Sequence, residues 1–96
     1  MELSAKQKRH LRGLGHELRF QVQVGRLGVT DTVVQSVDAA LAAHELIKIK
    51  FGQGFEGDFA AAVTDLADRT AAATVGTVGR TALLYRPDPD TPRIEV

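Results

Sequence analysis

Two short stretches of this chain obey a strict two-residue alternation, RFQVQV and LIKIKF, and a helical rhythm separates them. In the first, Phe20, Val22 and Val24 fall on one side and Gln21 and Gln23 on the other. In the second, Ile47, Ile49 and Phe51 oppose Lys48 and Lys50. Alternation of this kind belongs to a strand with one buried face. Between them Val33, Val34, Val37 and Leu41 recur at the spacing of one helical stripe, ending near His44. A strand, a helix and a second strand joined so tightly favour parallel pairing through a right-handed crossover.

The rest of the chain extends that unit. Ser4 and Gln7 stand at capping-box spacing, which predicts a helix from Ala5 to Leu14 stopped by Gly15. In projection Leu11 and Leu14 lie together and Lys8, Arg9 and Arg12 lie opposite, so this helix is expected to pack by leucine. GQGFEG reads as a flexible connection with little to pack, followed by a third helix over roughly Asp58 to Ala72. ATVGTVG and TALLYR flank Gly79-Arg80, which suits an antiparallel hairpin. All three prolines fall in the last ten residues, and 88–96 are expected to form a flexible tail beyond a single domain, 1–87. The expected fold is therefore α/β, one compact domain of order α-β-α-β-α-β-β. Its mixed four-stranded sheet carries helices mainly on one face and leaves Gln21, Gln23, Lys48 and Lys50 on a half-open layer.

Several function classes find no support. The chain has no cysteine, which removes disulfides and thiolate metal sites. Its first residues carry charges with no apolar core behind them, and no apolar run nears the roughly 20 residues that span a bilayer, so a soluble cytoplasmic protein is expected. Ser4 and Ser36 are the only serines and sit in no nucleophile motif, His10, His16 and His44 have no metal-ligand spacing, and Asp65 with Asp68 reads as a solvated pair. No Walker or GxGxxG pattern occurs. An enzyme, a metal, an organic cofactor and a small-molecule substrate are thus not expected.

Charge is uneven although 12 basic and 12 acidic residues cancel. Residues 1–26 hold Lys6, Lys8, Arg9, Arg12, Arg19 and Arg26 against Glu2 and Glu17, whereas 52–68 hold Glu56, Asp58, Asp65 and Asp68 and no base. The basic part contains Gly25-Arg26-Leu27-Gly28, placed where the first strand hands over to the second helix. Exposed N–H groups and a partial positive charge at a helix start attract phosphate, and glycine lets backbone donors approach it. Thr30 would cap that helix and Asp31 would suit its dipole. A plain turn needs the same pattern, but a GxxG loop in an α/β domain is also how KH modules clamp an RNA backbone.

LSAKQKRHLRGLGHEL, VGRLGVTD, ALAAHELIKIKF and VGRTALLYRP, in this order, closely resemble the YhbY-like bacterial proteins of the CRM family, named for chloroplast RNA splicing and ribosome maturation. The resemblance runs from about Leu3 to Pro87. It implies a domain similar to the C-terminal domain of translation initiation factor three that binds RNA, in bacteria that of precursors of the large ribosomal subunit (pre-50S particles). It carries over the loop residues Gly25, Arg26, Leu27 and Gly28 and the first-helix bases Lys6, Lys8, Arg9 and Arg12. Lys48, Lys50, Arg80 and Arg86 also fall in family segments. The chain departs from its clearly basic relatives by balancing to zero, which predicts weaker binding in isolation. The expected protein is a monomer without catalytic activity. The alternative is an adaptor that docks a basic protein through residues 52–68.

Overall fold

The computed structural model describes residues 2–96. Its elements follow the expected order: α1 (Ala5–Gly15), β1 (Val22–Val24), α2 (Asp31–His44), β2 (Leu46–Phe51), α3 (Phe59–Arg69), β3 (Ala73–Val78) and β4 (Thr81–Tyr85). The sheet runs β1-β2-β4-β3. β1 and β2 are parallel, and β4 pairs antiparallel with both β2 and β3. Each helix starts on a side-chain oxygen that accepts a backbone N–H: Ser4 from Gln7, Thr30 from Val33 and Asp58 from Ala61. The Gln7 side chain accepts in turn from the Ser4 N–H, completing the capping box.

Alternation along the strands divides the core into two layers. Val22, Val24, Ile47, Ile49, Phe51, Ala82 and Leu84 face α2 and α3, which supply Val37, Leu41, Val63 and Leu66. On the other face Leu11 of α1 packs with Leu46, Val75, Leu83 and Tyr85. Helices α2 and α3 thus share one face, and α1 covers part of the other. Only Leu11 anchors α1 as expected, for Leu14 is 44% exposed. Gly15 takes the second position instead. A Cβ there would stand 2.8 Å from both Leu83 methyls, so the helix approaches the sheet by giving up a side chain.

Other boundaries shift for local reasons. Phe20, expected in the core, lies outside β1, whose pairing with β2 begins at Val22, and the residue is 46% exposed. Helix α3 ends three residues earlier than the sequence predicts. The Thr70 hydroxyl donates to the Leu66 carbonyl at 2.7 Å, and Ala71 turns left-handed at φ 55°. The GQGFEG segment is not loosely packed either. Phe55 is buried, edge-on to Phe51 with centroids 5.0 Å apart, and so pins the loop to the core.

Residues 88–96, expected as a flexible tail, instead dock on the domain. Glu45, fully buried, joins α2 directly to β2, and its carboxylate accepts from the backbone N–H of Asp88 at 2.6 Å, Arg93 at 2.9 Å and Ile94 at 2.9 Å. The Arg93 guanidinium donates to the carbonyls of Ala42 and Ala43, and Ile94 packs on the Leu11 layer. Proline content signals an absence of regular structure, and this segment supplies its own partners without any.

Candidate nucleic-acid interface

The loop between β1 and α2 is a turn closed by the Gly28 N–H, which donates to the Gly25 carbonyl at 3.0 Å. Gly28 has φ 72°, where only glycine is unstrained, so the fold itself accounts for it. Gly25 differs. A Cβ there would meet nothing within 4 Å, and its φ is not left-handed, so nothing inside the molecule requires glycine. Arg26 and Leu27 form an exposed tip, with Leu27 82% exposed. Asp31 is not poised toward the loop alone, for its carboxylate pairs with Arg69 at 2.9 Å.

Beside the loop lies the half-open sheet face. Gln23 of β1 is level with Lys50 of β2, and Lys50 is level with Thr81 of β4. At about 4.8 Å between strands and 3.3 Å per residue, the Lys50 Cα lies roughly 8 Å from that of Gly25. Lys48, two residues back on the same face, leads to a groove of about 450 Å³ between α1 and the sheet, lined by Arg9, Arg12, His16, Lys48, Val78 and Leu83 among others and by no carboxylate. A strip of cations therefore runs from α1 across β2 to the GxxG turn. Among the described residues every ion pair involves Arg69, Arg86 or Arg93. The bases of the strip keep their charge for another partner.

The remaining sequence-predicted residues separate. Lys6 is exposed on α1, and Lys8 faces a second hollow with Glu2, Thr64 and Asp68, away from the strip. Arg80 and Arg86 are built into the fold. Arg80 donates from Nε to the Phe51 carbonyl at 3.3 Å and from Nη2 to those of Gly52 at 3.1 Å and Phe55 at 2.9 Å. Arg86 bridges the Asp38 carboxylate and the Thr70 carbonyl, each at 2.7 Å. These two guanidiniums fasten loops that lie far apart in sequence, a role that no local pattern announces. Because Asp38 is partly solvated, the expected cost of Arg86→Ala is about 1–2 kcal/mol in a urea titration, with ligand affinity unchanged in the same variant.

Tyr85 is buried, and burial followed by the nearby Glu45 carboxylate raises its pKa, so it offers no platform to a ligand. The acidic segment is also partly committed. Asp58 caps α3 and Asp65 pairs with Arg69 at 3.8 Å, which leaves the Glu56 and Asp68 carboxylates. No helix among the described residues is long and apolar enough to cross a membrane.

This arrangement has close parallels among known proteins. The model of the CRS1 / YhbY (CRM) domain matches residues 3–86. The chain belongs to the CRM family. Within it, a Haemophilus influenzae protein named "RNA-binding protein" is 39% identical over 85 residues, spanning 88% of this chain and 86% of its own. The Bacillus subtilis "Probable RNA-binding protein YqeI" is 36% identical over 94 residues, 98% of each chain. The solution structure of the hypothetical protein SAV1595 from Staphylococcus aureus superposes with a TM-score of 0.84 at 29% identity, covering 99% of both chains. This CRM chain thus matches the Staphylococcus aureus structure over nearly all of both chains, and the fold read from the sequence is the one they share.

Proposed function

We propose that this CRM protein is a non-catalytic, cytoplasmic, monomeric RNA-binding protein that holds the ribosomal RNA of large-subunit precursors by its phosphate backbone. The observation that carries the reading is Gly25. It is a glycine that neither conformation nor packing demands, set in the exposed turn that leads from β1 to α2, and a closely approaching ligand gives it a reason. Arg26 stands beside it, and Lys50, Lys48, Arg12 and Arg9 continue the positive strip. The names borne by the bacterial relatives point the same way. Phosphate contacts of this kind position an RNA without reading its sequence, which suits a protein that works within a large particle.

The test is binding of an RNA oligomer across a salt series. Affinity is expected to fall steeply as salt rises, and Arg26→Glu is expected to weaken binding about tenfold while leaving the thermal melt in place. In a gentle low-salt lysate the protein should sediment with large-subunit particles. Flat salt dependence, or an Arg26→Glu variant that binds like the parent, would remove the proposal.

A further inference from the structure

The residue expected in the core and found outside it supplies a second kind of contact. Phe20 belongs to neither core layer, and its half-exposed ring lies on the same sheet face as the cationic strip. The Lys50 ammonium sits 5.2 Å from the ring centroid. The backbone that carries the ring is fixed. The Gln21 N–H donates to the Lys48 carbonyl at 2.9 Å, and the Gln21 side-chain oxygen accepts from the Lys48 N–H, also at 2.9 Å. Phe20 is therefore held at the edge of the sheet by both the main chain and the side chain of its neighbour.

We propose that Phe20 is a stacking platform for an unpaired nucleobase, so that the RNA taken by this face is single-stranded at that point. The inference rests on the RNA reading above and narrows it. An aromatic face accepts any base, and a neighbouring cation both reinforces the stack and receives the adjoining phosphate. A base within an A-form duplex is stacked on both sides and cannot present its face to a protein ring, so a platform selects loops, bulges and strand ends. Lys50 is placed for the phosphate beside the stacked base. The GxxG turn lies on one side of it, and Lys48 and the α1 groove lie on the other.

The chain contains no tryptophan, so Phe20→Trp introduces a lone fluorophore at the proposed contact. Its emission is expected to be quenched by a short oligouridylate but not by heparin, a polyanion without bases. Phe20→Ala and Phe20→Leu are expected to weaken oligouridylate binding by roughly 5- to 150-fold with an unchanged salt slope, because stacking releases no counterions. Lys50→Ala should lower the slope by about one. Thermal melts of the Phe20 variants report folding independently. If the parent binds oligouridylate and both Phe20→Ala and Phe20→Leu match it, or if a duplex of equal length binds as tightly, the platform is overturned and the phosphate reading stands. If the parent binds no RNA at all, both fall together.

Discussion

Glu45→Ala is expected to lower the free energy of unfolding by about 3 kcal/mol. The carboxylate is fully buried and accepts three backbone N–H groups from a segment more than forty residues away. A hydrogen bond to a charged group contributes roughly 1.5–3 kcal/mol. The three do not add in full, because the tail escapes into water once its acceptor is gone. Glu45 also sits at φ 65°, a conformation strained for any residue with a Cβ, so the carboxylate contacts hold a joint that would otherwise relax. Denaturant titration measures the loss, and Glu45→Gln, which keeps the shape and one acceptor, should fall between alanine and the parent.

The same group predicts an acid response. Burial raises the Glu45 pKa, but the N–H donors of Asp88, Arg93 and Ile94, with the Arg93 charge, outweigh it, and the net shift is downward. A group whose pKa is lowered on folding contributes stability that is full above the ordinary glutamate range and is lost as pH falls through the folded value. Melts taken from about pH 7 down to pH 3 should show the parent losing that increment at the acid end. The Glu45→Gln protein should lack it. A parent and a variant that descend in parallel would deny the carboxylate this role.

Gly25→Asp is expected to reduce RNA affinity about 100-fold while the melting temperature stays where it was. The new side chain enters open space, so the fold has no reason to object. It places a carboxylate where the proposal puts a phosphate, removing backbone contacts and adding repulsion. Gly28→Ala makes the opposite prediction. At φ 72° an added Cβ strains the turn by about 1 kcal/mol, visible in the melt, with a smaller effect on binding. A Gly25→Asp protein that binds normally would return the whole loop to the status of a turn.

Periodicity along the chain carries part of this fold, and distance along it conceals the rest. The alternation of Val22 to Val24 and of Leu46 to Phe51, and the caps at Ser4 and Thr30, are local, and each produced the element it signals. Strand pairing is not local. Phe20 continues the alternation by sequence, yet register pairing with β2 starts at Val22 and the last main-chain bond at Gln21, so the phenylalanine is left at the edge. The long-range arginines escaped for the same reason. Nothing around Arg80 or Arg86 names Phe55 or Thr70 as a partner, and a basic residue in a strand-flanking position looks the same whether it meets a carbonyl or a phosphate. Glu45 was hidden by the opposite expectation, that proline-rich ends lack partners. The exposure of Arg12, Arg26 and Leu27 was legible because exposure asks only that nothing cover a side chain.

The way these arginines are used bears on how the protein is handled. Arg80 makes three bonds to main-chain carbonyls and Arg86 and Arg93 make two each, so dissolved ions have little to compete for. The uncommitted bases along the strip face the bulk solution and have no such shelter. Concentrated electrolyte should therefore strip adhering nucleic acid from a purified sample and leave the scaffold standing, so that clean protein is recovered by washing rather than by unfolding and refolding.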